Sequence, residues 1–349
     1  MHNFFGISVH LPQTNQNRAT GMRLLRFTIL SATLLLLAAS CGDSHRYARI
    51  EGFAQGGTWH IICALSRGVR PQAVKSLADS LLLEIDRSVS GYNKGSLLSR
   101  FNAGEEVAPD RHFLANYEMS REIWELSHGA FDPSAAPLFD LWGFGFTGDE
   151  TVSDRAVDSI LAFVGMDHFR LEERDGVTFI VRDDPRCKLN FNAIAQGYSC
   201  DCIASALEEL GCTDYLVEVG REIICKGRSA RGGKWRIALE KPVEGAEEGN
   251  EQIEETLELT DCGIVTSGNY RKFYEKDGKK YAHTINPATG RPVTHNLLSA
   301  TVILTDTSLA GRLASYGDAY ATWMMVIGGD AARSAADTLP GVEVILIGE

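Results

Sequence analysis

A carboxylate and a hydroxyl stand one helical turn apart in Gly317-Asp318-Ala319-Tyr320-Ala321-Thr322. The surrounding run of Ala, Trp, Met and Val reads as an apolar helix, so Asp318 and Thr322 share a face. A carboxylate in such surroundings is costly unless something compensates it. Two hard oxygen donors suit Mg²⁺, with a backbone carbonyl, water and phosphate completing the shell. The competing reading is a hydrogen bond from Thr322 back to the Asp318 carbonyl within the helix. The cost of the carboxylate favours the metal.

Other clusters place polar or small residues where no periodicity asks for them. Leu189-Asn190-Phe191-Asn192-Ala193-Ile194-Ala195-Gln196-Gly197 leads into a helix carrying Asp201, and free N–H groups at a helix start suit a pyrophosphate. Neither GxGxxG nor GxxxxGK[ST] is present, so those phosphate loops are not supported. Gly129-Ala130-Phe131-Asp132-Pro133 offers backbone amides and one carboxylate for a heterocycle's polar edge, or is an ordinary helix cap. Ser90-Gly91-Tyr92 puts an aromatic in a turn, where it either stacks on a flat ligand or covers a core edge. His283 lies between Thr266-Ser267-Gly268-Asn269-Tyr270 and Asn286-Pro287-Ala288-Thr289-Gly290. A lone histidine is more often structural, but one held between a strand and a Pro/Gly turn is a candidate fixed base.

The elements that must position these groups follow from periodicity. Val74, Leu77, Leu81, Ile85 and Val89 recur at helical spacing and stop at Ser90-Gly91. Further helices are expected over 113–127, from a Ser153 cap to Gly165, over 198–210 and over 308–327. Strands are expected from Trp59, over 177–181, 215–219, 297–305 and 342–347. Residues 244–256, rich in Glu and Gly, read as a solvated loop. Helices and strands mix without strict βαβ alternation, which predicts an α+β fold. No short-period repeat appears.

The chain has 349 residues, 46 acidic against 34 basic, for a net charge of −12. A broadly acidic surface disfavours nucleic acid, which is bound through Lys and Arg. Arg23 and Arg26, the apolar stretch Phe27–Ala39 and Ala38-Ala39-Ser40-Cys41 read as a targeting segment over 1–41, too short to span a bilayer comfortably. Its sharper reading is a lipoprotein signal with Cys41 lipidated, and Met22 is a possible true start. The other cysteines, Cys63, Cys187, Cys200, Cys202, Cys212, Cys225 and Cys262, are odd in number and irregular, so buried free thiols are expected.

In order, "SGYNKGSLLSRFN", "GAFDPSAAPLFDLWGFG", "NFNAIAQGYSCD", "TSGNYRKFYEKDGKKYAHTINPATGRPV" and "GDAYAT" resemble the FAD:protein FMN transferase (ApbE) family from about Phe53 to Gly328. The resemblance implies one α+β domain over 42–349, with two intimately packed subdomains around a central FAD and metal cleft. It implies that Tyr92, Ala130, Phe131, Asp132, Asn190, Gln196 and His283 line the FAD site. It places Mg²⁺ on Asp318, Thr322 and the Ala193 carbonyl, with Asp318 and His283 catalytic. It also implies tethering on the periplasmic side of a membrane. Acceptors in the family are subunits of sodium-translocating NADH:quinone reductase and of Rnf-type complexes, modified on a threonine. Two other activities fit the same residues: an FAD pyrophosphatase releasing FMN and AMP, and a non-catalytic flavin-binding lipoprotein.

The sequence departs from the family pattern at Gly56 (usually Met), Arg221 (usually Gly), Asn286 (usually Asp) and Gln196 (usually Lys or Glu). It also stops soon after Ile347, where many relatives continue, so a C-terminal strand or flap is expected to be missing.

Overall fold

The computed structural model of the chain describes residues 46–145, 152–243, 252–269, 273–276 and 279–348. The expected targeting segment with Cys41, the stretch 244–251 and Tyr270 lie outside the described residues. The N-terminal half contains β1 (Arg46–Ala54), β2 (Gly57–Leu65), α1 (Pro71–Val89), α2 (Leu97–Asn102), α3 (Arg111–Leu126), α4 (Ala136–Leu141), α5 (Asp154–Leu161), β3 (Phe169–Arg174) and β4 (Val177–Arg182). Then come α6 (Ala195–Glu209), β5 (Tyr215–Val219), β6 (Glu222–Lys226), β7 (Trp235–Glu240), β8 (Ile253–Leu259) and β9 (Cys262–Gly268). Four short strands follow: β10 (Phe273–Lys276), β11 (Lys279–Ala282), β12 (Ile285–Asn286) and β13 (Arg291–Pro292). The chain closes with β14 (Leu297–Leu304), α7 (Leu313–Ile327), α8 (Gly329–Ala336) and β15 (Val342–Gly348).

A seven-stranded sheet runs β1-β2-β5-β6-β9-β14-β15, and every pairing in it is antiparallel. The alternation of β5, with Tyr215, Val217 and Val219 buried and Leu216 and Glu218 half-buried, assigns its two faces. One face carries α1, α6 and α7, which pack on the strands and on each other. On the other, Trp235 and Ile237 of the β7–β8 ribbon meet Ile62, Leu216, Ile223 and Ile264. β14 is buried along nearly its whole length, as a strand covered on both faces must be. The fold is α+β, and the described residues belong to one compact unit.

Several boundaries differ from expectation. The last long helix starts at Leu313 rather than 308, because Gly311 at φ +80° breaks the run and Asp306 instead caps a short 3-10 turn. The helix expected at 198 begins at Ala195, which brings Gln196 and Gly197 into its first turn. The helix capped by Ser153 ends at Leu161, short of Gly165. Residues 253–256, expected in a solvated loop, are the start of β8, because pairing with β7 satisfies their backbone despite the glutamates. The described cysteines are free thiols, buried except for half-buried Cys202. No helix among the described residues is long and apolar enough to cross a membrane.

Candidate functional site

The helices α6 and α7 both begin without a local side-chain cap. Each is capped by the other. Asp201 of α6 accepts from the Ala314 N–H (3.1 Å), the Ser315 N–H (2.8 Å) and the Ser315 hydroxyl (2.6 Å) at the start of α7. In return, Asp318 of α7 accepts from the Gly197 N–H of α6 at 3.2 Å. The exchange needs close backbones, and a Cβ on Gly197 would fall 2.2 Å from the Ala314 carbonyl oxygen. Glycine is required there for contact rather than for conformation.

Asp318 is buried, and burial pushes its carboxyl up to about 7, with the Asp201 charge adding to the shift and the Gly197 N–H opposing it. Thr322, one turn on, has its hydroxyl 3.4 Å from that of Ser267 at the end of β9. Beside Asp318 lies a carboxylate that sequence reasoning passed over. Glu222, the first residue of β6, is buried, and its Oε2 has no hydrogen-bond partner. Burial and the Asp318 charge raise its carboxyl well above the usual range.

These groups open on a cavity of about 1180 Å³. That exceeds the roughly 300–1,000 Å³ of most small-molecule sites and leaves room for a dinucleotide. Tyr92, Ala130, Phe131, Asp132, Asn190, Ala193, Gln196, His283, Asp318 and Thr322 all line it, so the fold brings every predicted site residue to one space.

Their supports are local. The turn after α1 is pinned by Asn93, whose amide donates to Asp86 (2.7 Å), and by the Ser96 hydroxyl on the Ser90 carbonyl (2.6 Å). That leaves Tyr92 66% exposed on a fixed turn at the cavity. Phe131 is buried in the main core and also forms cavity wall. Asp132 accepts from the Ser134 N–H (2.8 Å), the Ser134 hydroxyl (2.5 Å) and the Trp124 indole (3.2 Å), yet burial still raises it to about 6. Asn190 donates its backbone N–H to the Pro133 carbonyl (2.9 Å), which ties the two loops together, and its side-chain oxygen accepts from the Asn192 N–H (2.9 Å) within its own loop. His283 follows β11, with the Phe144 ring edge-on at 6.4 Å. Its neighbour Thr284 donates to the Asn269 side chain at 2.6 Å, anchoring that segment to the end of β9.

The matched family model is the ApbE family, and it spans residues 56–346. The chain belongs to the ApbE family. It is 32% identical over 319 residues to an FAD:protein FMN transferase of Vibrio cholerae serotype O1, covering 90% of this chain and 91% of that one. Among solved structures it resembles the flavin transferase ApbE of Vibrio cholerae, with a TM-score of 0.74 and 30% identity over 87% of this chain and 94% of the other. The apo flavinyl transferase ApbE of Pseudomonas stutzeri gives 0.74 at 28% identity, over 87% and 92%.

Some of this ApbE-family site was not visible in the sequence. Glu218, Arg221, Glu222 and Glu240 also line the cavity, brought there by the β5–β6 turn and by β7. The alternation of Trp235-Arg236-Ile237-Ala238-Leu239-Glu240 was a strand signal that could have located β7. Among the described residues, six carboxylates (Asp86, Asp132, Glu218, Glu222, Glu240, Asp318) face the cavity against one arginine, Arg221, and His283. A diphosphate entering that field needs added positive charge. No cluster of three or more His, Cys, Asp or Glu occurs among the described residues. A cation here would therefore rely on carbonyl, hydroxyl and phosphate oxygens beside one or two carboxylates, a donor set that suits Mg²⁺. The partnerless Glu222 oxygen and the single donor on Asp318 fit that ion.

Proposed function

We propose that this ApbE-family chain is an Mg²⁺-dependent FAD:protein FMN transferase, exported and held by a lipid on Cys41 at the periplasmic side of a membrane. The observation that carries the reading is Asp318. It is a buried carboxylate with one N–H donor, lining a dinucleotide-sized cavity that Thr322 and Ala193 also line.

Asp318, the Thr322 hydroxyl and the Ala193 carbonyl would hold the ion, and its chemistry when bound is to neutralise the diphosphate as charge moves to the leaving phosphate. The chain's own groups do the rest. Tyr92 covers the flavin, while Phe131 and Asp132 fix its ring and polar edge. Asn190 and Gln196 orient the dinucleotide beside the start of α6, whose N–H groups favour anions. The acceptor threonine oxygen attacks the flavin-side phosphorus, and the bond to the AMP phosphate breaks. The hydroxyl proton passes to His283, and AMP leaves with the bonding pair.

Acceptors of the class expected are envelope-facing subunits of sodium-translocating NADH:quinone reductase or Rnf-type complexes. The test is incubation of the mature chain with FAD, Mg²⁺ and such a subunit, followed by denaturing electrophoresis. Flavin fluorescence that stays with the acceptor supports transfer. Release of free FMN with an unlabelled acceptor makes the chain a pyrophosphatase instead. Tight FAD binding with neither outcome makes it a carrier.

A further inference from the structure

The two-residue turn between β5 and β6 is Gly220-Arg221, with Val219 paired to Glu222 across it. Gly220 has φ +63° and Arg221 φ +95°. Positive φ at both central positions is the type I′ pattern, which fits the twist of a hairpin and strongly favours glycine at the second position. Arginine there holds its Cβ against the backbone. A strained residue persists only where its surroundings hold it, and such residues concentrate at functional sites. The cost is local, since the turn itself would form more readily with glycine.

The strained side chain is also the one arginine among the described residues that line the cavity. It is about one-third exposed and forms an ion pair with Glu240 on β7. Its turn lies against a side chain at the start of α6: a Cβ on Gly220 would come within 2.0 Å of the Gln196 side-chain nitrogen, Nε2. The next residue is Glu222, whose carboxyl feels the Asp318 charge. Arg221 thus shares the cavity with Gln196 at the start of α6 and with Asp318, the carboxylate proposed to hold the cation, and a diphosphate entering that cavity would bring negative charge to it. A guanidinium presents its donors in a planar fork that matches phosphate oxygens, and the ion pair with Glu240 holds that fork at the cavity.

We infer that Arg221 is a substrate-binding residue that contacts the diphosphate of the dinucleotide. This rests on the FAD reading above and adds to it a phosphate ligand particular to this chain.

The test compares wild type with Arg221→Gly and Arg221→Lys, measuring thermal midpoints and the binding of ADP and of riboflavin in the presence of Mg²⁺. Glycine suits the turn, so Arg221→Gly is expected to fold and to melt a few degrees higher. Its ADP affinity should fall by roughly tenfold or more, as for loss of a charged hydrogen bond. Riboflavin, which has no phosphate, should bind within about twofold of wild type. Arg221→Lys should keep part of the ADP affinity, because the charge survives and the fork does not. A higher midpoint with unchanged ADP affinity would overturn the inference and leave Arg221 a tolerated strain. Equal loss of ADP and riboflavin would overturn it too, by pointing to the shape of the turn. Failure of the wild type to bind FAD or ADP at all would instead remove the dinucleotide reading on which it rests.

Discussion

The starts of α6 and α7 make a matched pair that differs in one respect. Each is capped by an aspartate on the other helix, and both aspartates are buried. Asp201 accepts three hydrogen bonds, whereas Asp318 accepts one from the backbone at Gly197. Burial raises both carboxyls, Asp201 to about 6 and Asp318 to about 7. A buried carboxylate saturated by its own protein holds helices together. One left with open lone pairs beside a cavity, and beside a second carboxylate, is a place for a cation. The chemistry of the residue is the same, and its partners decide its role.

The largest expected effect separates the two by activity. Asp318→Ala should lower FAD cleavage by about a thousandfold or more, the scale of losing metal-based stabilisation of phosphoryl transfer. Its thermal midpoint without metal should fall less than that of Asp201→Ala, since one N–H rather than three donors loses its acceptor and a buried carboxylate is removed with it. Asp201→Ala should do the reverse. Loss of three hydrogen bonds at the α7 start should cost about 2–4 kcal/mol in urea unfolding, with turnover per folded molecule largely kept. Comparable activity losses in both variants would erase the distinction.

Gly197→Ala acts on both at once. Its Cβ would press on the Ala314 carbonyl, so the helices must part. A cost of about 1–3 kcal/mol is expected, with half-maximal turnover reached only at higher Mg²⁺ because the Asp318 carboxylate is displaced.

The smallest effect is a pH slope. Asp132 sits at about 6 instead of its ordinary 3.8 because burial outweighs its bonds to Ser134 and Trp124. The folded state then holds that proton more tightly than the unfolded state does. Its share of stability is therefore fully present below about pH 4 and is lost as pH rises through about 6. Thermal midpoints of Asp132→Asn should show a shallower decline across that window than wild type.

How much of this was legible depended on whether a residue contradicted its own neighbourhood. Asp318 did, as a charge in an apolar helix, and so could be singled out from composition alone. His283 and Tyr92 stood in turn-rich stretches that periodicity could not absorb. Glu222 gave no such sign, because a glutamate at a strand start looks like an edge. Only the long-range order β5-β6-β9 buries it beside Asp318. Asp201 was noticed within its cluster, but its capping role depends on a helix 113 residues away. The extra strand β8 was hidden by glutamates whose backbone pairing, rather than side chains, decides the structure. The helix start at Ala195 was missed because its cap comes from Asp318 and not from a neighbouring Ser, Thr or Asp.

The most direct measurement is a paired count on one reaction: AMP released from FAD and FMN gained by the acceptor, the latter by intact mass, with Mg²⁺ present or chelated. One AMP is expected per FMN attached, with both lost on chelation and both lost in Asp318→Ala. AMP without a mass gain on the acceptor, or attachment that persists without a divalent cation, would contradict it.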